Sequence, residues 1–571
     1  MFYNYKMEQK LNIIDYKKIS NLCDFFKIQL KNNPKKGFLY SKQNSDWEEH
    51  TYLELNNIIK KIISFLLKNE ISKNDRVMLI SNNRIEWFAS DMAILSVGAI
   101  TVPSFSTNNI NDNKFILEDS KPSIIILENI SIYKRNLAIF KKFKKKILFI
   151  EDTPGFLSIQ KINISQESFK LPRLKKSDIC SIIYTSGTSG NPKGVVLTHG
   201  SIIHNLEAAY YLLKELNINR EKFLSFLPLS HSYERMAGLY FPLSINAKIY
   251  YCNSLDKINK DFVEVKPTLV TAVPRLYENI YKKINAKFKN SNIIFKFFFN
   301  QTINLGEKER RKKLNLIEFF FNIILKLLIR NKIKKIFGGK LKTFVSGGAA
   351  LNPTIGNFFL NMGCCILQGY GQTEAAPLIS CNNVKQNNTK TVGSPVKGVT
   401  IKISNADEIL VKGKNVMLGY WNNKSLTKKT IKNGWLHTGD LGYFDLKNRL
   451  IINGRKKDLI VTSGGENISP QKIESLLIAQ DEIIQAAVFG NYKPYIIALL
   501  VVKESFSYEY IKKIINNINK KLNSPEKIRK FIIINNEFTY EKGLLTQTLK
   551  IKRDVIFKYY KKKIEQLYFK S

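Results

Sequence analysis

Residues 184–199, YTSGTSGNPKGVVLTH, gather four hydroxyl side chains (Thr185, Ser186, Thr188, Ser189) and the glycines Gly187, Gly190 and Gly194 around one lysine, Lys193. Side chains this small let a backbone turn tightly and approach a ligand closely, so that successive N–H groups line a concavity suited to an anion. A phosphate is the expected guest. The common nucleotide loop, GxxxxGK followed by Ser or Thr, is excluded because Pro192 precedes the lysine and Gly194 follows it. Other ligand chemistries are poorly represented. Cys23, Cys180, Cys252, Cys364, Cys365 and Cys381 form no CxxC and no paired spacing, so neither a zinc site nor a disulfide framework is expected, and a reducing cytoplasm is the expected compartment. Of the five histidines only His199 and His204 lie close together, which argues against a histidine metal cluster.

Such a loop needs a sheet to hold it. The apolar run CSIIY ahead of it has the pattern of a buried strand, and strand, glycine-rich loop and helix in that order would set the loop at the carboxyl end of a sheet. From about Arg76 onward, RVMLISNN, EWFASDMAILSVGA, ITVPSFS, SIIIL and KILFI alternate strand and helix patterns, which predicts a mainly parallel sheet covered by helices. SIIHNLEAAYYLLKEL reads as a helix started by Thr198 or Ser201, with Ile202, Ile203, Leu206, Ala209, Tyr210 and Leu213 on one face. FLSFLPL, TLVTAVP, TFVSGGAAL and CCILQGYGQTE read as further strands running into loops. ADEILVKGKNVMLGYW and GWLHTGDLGYFDL have the alternation of an antiparallel element, and beyond INGRKKDLIVTSGGENISP the pattern restarts. The fold class is therefore α/β: a large N-terminal domain of parallel and mixed sheets covered by helices, residues 1–456, and a smaller α+β C-terminal domain, 457–571. A lysine-, phenylalanine- and isoleucine-rich helical insert occupies about 281–342.

Within the insert, NLIEFFFNIILKLLIR places Glu318, Asn322, Lys326 and Arg330 on one narrow polar stripe of a helix whose remaining surface is apolar. Such a helix is expected to bury most of its circumference, either as a core helix of the insert or by lying in a membrane interface.

With 571 residues, 44% of them apolar and 24% charged, the chain has the composition of a folded protein of at least two domains. Lys and Arg number 90 against 47 Asp and Glu, a formal net charge of +43. That surplus would ordinarily point to nucleic acid or an anionic membrane. Most of it is lysine spread along the whole chain with abundant Asn and Ile, so nucleic acid is not the expected partner. The N-terminal MFYNYKMEQKLNIIDYKK has no apolar core of signal-peptide length, and no segment offers about 18 uninterrupted apolar residues for a membrane span.

Taken in order, YTSGTSGNPKGV, SGGAAL, QGYGQTE, HTGD, GRKKDLIVTSGGENISP and LTQTLKIKR resemble the signatures of adenylate-forming enzymes over almost the whole chain. LPLSHSYER, TAVPR and the basic insert most resemble the long-chain fatty acyl-CoA synthetase branch. The resemblance implies that a fatty acid carboxylate attacks the α-phosphate of ATP to give an acyl-adenylate, and that coenzyme A, as co-substrate, then takes the acyl group. An acyl carrier protein as acceptor, or a shorter or aryl acid, is the alternative, with peripheral membrane contact at the inner face of the cell membrane a further expectation. A non-catalytic basic relative would be expected to have lost at least one of Thr188, Lys193, Glu374, Asp440, Arg455 and Lys550, and all are present.

By the same resemblance, Thr185, Ser186, Gly187, Thr188, Ser189 and Gly190 wrap the β- and γ-phosphates and Lys193 adds a cation. Glu374 is the Mg2+ ligand, with Thr373 reaching the α-phosphate. Gly347, Gly348 and Ala349, with Gln368, Gly369, Tyr370 and Gly371, wall the adenine pocket, while Asp440 accepts the ribose hydroxyls and Arg455 lies near ribose and phosphate. Lys550 bridges carboxylate and α-phosphate; because Leu549 stands where the family has glycine, Lys552 is the fallback. Lys457 is the hinge on which the mobile C-terminal domain turns between half-reactions. Gly464 and Gly465 line the pantetheine tunnel, and His231 is a positioning residue near the acyl pocket. Asp407 replaces a usual glycine at a surface turn.

Overall fold

The computed structural model describes residues 14–43, 46–164, 169–185, 192–252, 254–504, 506–540, 542–546 and 550–569. Strand Ile179–Thr185 lies in a seven-stranded sheet, beside Ile100–Ser104 on one flank and Lys193–Thr198 on the other. Arg76–Ile80, Ile100–Ser104, Ile124–Leu127 and Ile147–Phe149 run parallel, and their near-continuous apolar runs are buried on both faces, as a helix-covered sheet requires. One expectation is corrected here. After the glycine-rich loop the chain does not enter a helix directly but returns as Lys193–Thr198, antiparallel to Ile179–Thr185, with Val195, Val196 and Leu197 buried. The helix His199–Leu213 follows, capped by Thr198 and Ser201 in a reciprocal box, with its Ile202, Ile203, Leu206, Ala209 and Leu213 buried as the pattern predicts.

A nine-stranded sheet carries the other joints. Lys222–Ser225, Leu269–Ala272, Thr343–Ser346 and Ile366–Gly371 are parallel neighbours in it, so the loops SGGAAL and QGYGQTE leave from the same end. A five-stranded antiparallel sheet is built on Trp435–Phe444, which alternates buried and half-buried residues and pairs with Glu408–Gly413 and Leu450–Arg455. Asp407, at its turn, has φ of +58°, a conformation glycine adopts without the strain that a Cβ brings. Strands Ile483–Phe489, Ile496–Val502 and Ile528–Ile534, with helices Pro470–Ile478 and Tyr508–Asn519, enclose an apolar cluster drawn wholly from residues beyond 459. No helix among the described residues is long and apolar enough to cross a membrane.

A buried ion pair fastens the seven-stranded sheet to the segment that follows PLSH. Arg235, which opens a π-helical turn through Tyr240, holds Asp91 at 2.5 Å and donates to Ser181 Oγ at 2.6 Å, while Tyr240 and Thr101 donate to the same carboxylate. Removing one partner of such a pair costs about 3–5 kcal/mol, because the other charge is left buried and unpaired.

His199 is buried at the start of its helix, where its Nδ1 accepts the Leu22 N–H at 3.2 Å. Burial pushes its pKa down to about 4 from 6.5. The unfolded chain therefore takes up a proton that the folded chain refuses, so this stabilisation is complete above about pH 6.5 and is lost as pH falls to about 4. The melting temperature is expected to drop across that window, and His199→Gln, which cannot titrate, to show a shallower drop. Identical pH slopes in the two proteins would remove His199 from the explanation.

Candidate functional site

The two large sheets, the antiparallel sheet and the C-terminal elements wall one cleft of about 1950 Å3. Thr185, Lys193, His231, Gly347, Gly348, Ala349, Gln368, Gly369, Tyr370, Gly371, Thr373, Glu374, Asp440, Arg455, Lys457 and Lys550 all line it, although up to 365 residues of chain separate them. Ser186, Gly187, Thr188, Ser189 and Gly190 lie outside the described residues. Gly464 and Gly465 are not brought to the cleft. They sit in an exposed turn between Ile460–Val461 and Asn467–Ile468, where Gly465 has φ of +82°.

Asp440 is held in the cleft by three side chains. Tyr370 donates its hydroxyl to Oδ2 at 2.6 Å, Gln372 Nε2 donates to the same oxygen at 2.5 Å, and Arg455 Nε donates to Oδ1 at 2.8 Å. Arg455 is also the cross-strand partner of Asp440, so the sheet register itself delivers the pair. Gln372 reaches the main-chain carbonyl of Thr438 as well. Gln372 stands inside YGQTE but is not among the residues expected at the site; its contact with Asp440 is a tertiary one that the motif does not reveal.

The floor under the adenine candidates is set by close packing. A Cβ on Gly347 would fall 2.9 Å from the Tyr233 ring, and one on Gly371 would fall 2.1 Å from the carbonyl oxygen of Pro377, so both positions exclude any side chain. Gly347 thus makes room for Tyr233 as well as for a ligand. Ser346 and Gln368 are cross-strand partners on the cleft wall, and Ser346 Oγ and Gln368 Oε1 are buried with no hydrogen-bond partner. An unpaired buried acceptor is costly, and a ligand amine or hydroxyl would satisfy it.

Cations crowd the phosphate end. Burial lowers the Lys193 pKa, the charges of Lys457 and Arg455 lower it further, and Glu374 opposes them. The ammonium also lies 5.6 Å from the centre of the Tyr420 ring, whose hydroxyl donates to Glu374 Oε1 at 2.9 Å. Thr373 shares a hydrogen bond with Ser232 at 3.0 Å. Among the described residues no group of three or more His, Cys, Asp or Glu could hold a metal ion by itself. One carboxylate, Glu374, fits an ion such as Mg2+ that takes most of its oxygen ligands from phosphates and water.

Lys550 is exposed on the cleft, where the surrounding protein and then the Arg455 charge lower its pKa, with Asp440 and Asp458 opposing. Its charge is felt at His231, whose pKa falls to about 4, chiefly through burial. Lys552 lines the cleft too, but it is Lys550 that couples to the Asp440–Arg455 pair. His231 Nδ1 accepts the Tyr233 N–H at 3.1 Å, so the neutral ring carries its proton on Nε2 and can donate there but not accept. Part of the lining is apolar, and Ala209, Leu213, Phe223, Met236, Phe241 and Leu269 are taken together as its apolar arm. These residues come from five separate elements with no motif between them, so nothing in the sequence singles them out.

The chain matches the family model of AMP-binding enzymes over residues 26–421 and that of the AMP-binding enzyme C-terminal domain over 457–571. It is 30% identical over 562 residues to a long-chain-fatty-acid–CoA ligase of Mycobacterium bovis, covering 92% of this chain and 93% of the relative. It is 27% identical to long chain acyl-CoA synthetase 3 of Arabidopsis thaliana, covering 96% and 92%. In three dimensions it is similar to ATP-bound MatB of Rhodopseudomonas palustris, with a TM-score of 0.72 at 19% identity, over 95% of this chain and 99% of that one.

Replacing Asp440 by Asn is expected to lower AMP affinity about 10–100-fold, the range for losing charge-assisted hydrogen bonds to a carboxylate. Tyr370→Phe keeps that carboxylate and is expected to cost only a few-fold. Calorimetric titration with AMP checks both, and equal losses would deny Asp440 a direct contact with the ligand.

Proposed function

The chain belongs to the AMP-binding enzyme family, and on that premise we propose that it activates a long-chain fatty acid with ATP and passes the acyl group to coenzyme A. The observation that carries this reading is one cleft in which Lys193, Arg455 and Lys550 converge with Asp440 and Glu374 beside an apolar arm. In the first step a carboxylate oxygen attacks the α-phosphorus and the bond to the bridging oxygen of the β-phosphate breaks, releasing pyrophosphate. Two anions must approach each other, so fixed cations are what the step needs. Lys550 neutralises the attacking carboxylate and the α-phosphate together, Lys193 and the glycine-rich loop hold the β- and γ-phosphates, and Asp440 accepts the ribose hydroxyls. Mg2+, when bound, would be held by Glu374 and would screen phosphate charge. Neutral His231 donates from Nε2 and orients the acyl carboxylate; the apolar arm takes the alkyl chain.

In the second step the sulfur of coenzyme A attacks the acyl carbonyl, the carbonyl–oxygen bond breaks, AMP leaves and the thiol proton passes to solvent. We propose that residues 457–571 turn as a unit about Lys457 between the steps, carrying Lys550 away and bringing the turn of Gly464 and Gly465 to the cleft. Contacts across the two parts favour such motion, since they include single hydrogen bonds to main-chain carbonyls: Lys282 to Ile483 at 2.9 Å and Asn352 to Ser475 at 3.0 Å. We assign the reaction to the cytoplasm, where the six cysteines, none of them in a disulfide, would stay reduced.

An assay of AMP release across acids from acetate to arachidate, with and without coenzyme A, tests the reading. Turnover that peaks with long chains and requires coenzyme A is expected; a peak at short or aryl acids, or indifference to coenzyme A, overturns the substrate or the acceptor. Lys550→Ala is expected to lose about 10²–10³-fold in the adenylation rate while keeping ATP binding, and carboxylate-dependent pyrophosphate exchange at wild-type speed would refute its role. Lys457→Pro fixes φ near about −65° and is expected to leave acyl-adenylate formation intact while blocking thioester formation. Equal loss of both half-reactions would mean that Lys457 is not a hinge.

A further inference from the structure

The insert contains a helix folded inside out. In Leu316–Leu325 and the π-helical turn Lys326–Arg330 that continues it, two members of the polar stripe read from the sequence point inward while Lys326 stays exposed: Asn322 and Arg330 are buried, and Arg330 donates to Asn322 at 2.9 Å and to Glu309 of the preceding helix, Ile293–Arg310, at 2.7 Å. Lys308 and Glu318 close the other end of this helical hairpin with a second ion pair. Leu325 and Ile329 are buried and Phe321 half-buried, but the other apolar positions face outward, contrary to the expectation that such a helix buries most of its circumference. Leu316 and Ile317 are 79% and 83% exposed, Phe320 65% and Leu327 63%, with Ile323 and Ile324 near half. The first turns of Ile293–Arg310 extend the same face. Phe298 packs on Phe321, Lys332 lies over Phe295, and Ile293, Ile294 and Phe297 are exposed. Scattered surface apolar residues are ordinary, but a contiguous face of this kind on a folded protein marks an interaction surface.

Charge identifies the partner. Residues 291–342 hold thirteen Lys or Arg and three Glu, and each Glu is already paired, Glu307 with Arg311, Glu309 with Arg330 and Glu318 with Lys308. Lys296, Lys312, Lys313, Lys326, Lys332 and Lys335 are exposed around the apolar face. A second copy of this chain would bring an equally basic rim against it, and like charges repel. An anionic bilayer surface offers the opposite sign outside and hydrocarbon within, the two things this face lacks.

We propose that this helical hairpin docks on the surface of a bilayer containing anionic phospholipid, its outward apolar side chains entering the headgroup and acyl boundary and its lysines meeting the phosphates. Interfacial helices bind through that combination. The attachment does not depend on which acid is activated, because it is read without substrate.

Flotation of the full-length chain with phosphatidylcholine vesicles, with and without phosphatidylglycerol, tests the proposal. Binding is expected to require phosphatidylglycerol, to weaken steeply with salt, and to fall about fivefold for each of Lys326→Glu and Lys332→Glu beyond simple charge neutralisation. Ile317→Ser/Phe320→Ser/Leu327→Ser changes only exposed positions, so it should fold, melt near the wild-type temperature, keep its activity on an acid presented in solution, and lose vesicle binding. No binding to anionic vesicles at low salt, or binding that survives the triple substitution, overturns the proposal. So does a dimer in solution that the triple variant splits while vesicles are ignored.

Discussion

Three side chains converge on one carboxylate, and the cleft is organised around it. Asp440 holds Tyr370 and Gln372 from the nine-stranded sheet and Arg455 from the next strand of its own sheet. Each partner donates, so the carboxylate stays an acceptor while its position is fixed from three directions. The preorganisation matters because hydrogen bonds aimed in advance cost nothing to arrange at the moment of reaction. It also places the guanidinium of Arg455 where its charge depresses both Lys193 and Lys550. A shift of any of the three sheets would therefore be felt at Asp440, Lys193 and Lys550 together.

The opposite design governs the sheet behind the cleft. Asp91 and Arg235 are withdrawn from solvent, with Arg235, Tyr240 and Thr101 donating to the Asp91 carboxylate, and they tie the parallel strands to the segment carrying His231. Glu234, next in sequence, has no countercharge; burial pushes its pKa up to about 7, and the hydroxyls of Ser225 and Thr271 donate to it. The π-helical turn after it brings Gly238 so near that a Cβ there would overlap the Glu234 carboxylate. Rigid anchoring one turn from a histidine on the cleft wall gives that histidine a fixed origin.

Most of the fold could be read from period and punctuation, because buried parallel strands leave short apolar runs and capped helices leave signals such as Thr198 and Ser201. The hairpin Ile179–Thr185 to Lys193–Thr198 could not, since VVLT is equally at home at a strand end or ahead of a helix. Charged site residues were legible through motifs: Glu374, Asp440, Arg455 and Lys550 meet in the cleft. So were neutral members of those motifs such as Gln368, Tyr370 and Thr373, but others were not. Gln372 and Tyr420 act by direction rather than charge, and the apolar arm is assembled from residues whose only shared property is where the chain takes them. The insert shows a different limit. Periodicity located the polar stripe of Glu318, Asn322, Lys326 and Arg330 correctly, but the pattern cannot say which side faces in, and the answer came from partners on another helix.

The crowding of cations also bears on the proposed turn of residues 457–571 between the half-reactions. With Lys457 and Arg455 both lowering the Lys193 pKa, the cleft holds a local excess of positive charge that only a polyanion relieves. In the proposed mechanism a bound triphosphate would hold these cations together, with Lys550 beside the Asp440–Arg455 pair. Loss of pyrophosphate would remove most of that negative charge and leave an acyl-adenylate carrying a single phosphate charge, so the repulsion that Lys193 feels from Lys457, at the proposed pivot, would be less fully offset. The proposed first step would thereby weaken a contact beside the pivot about which the proposed second step turns.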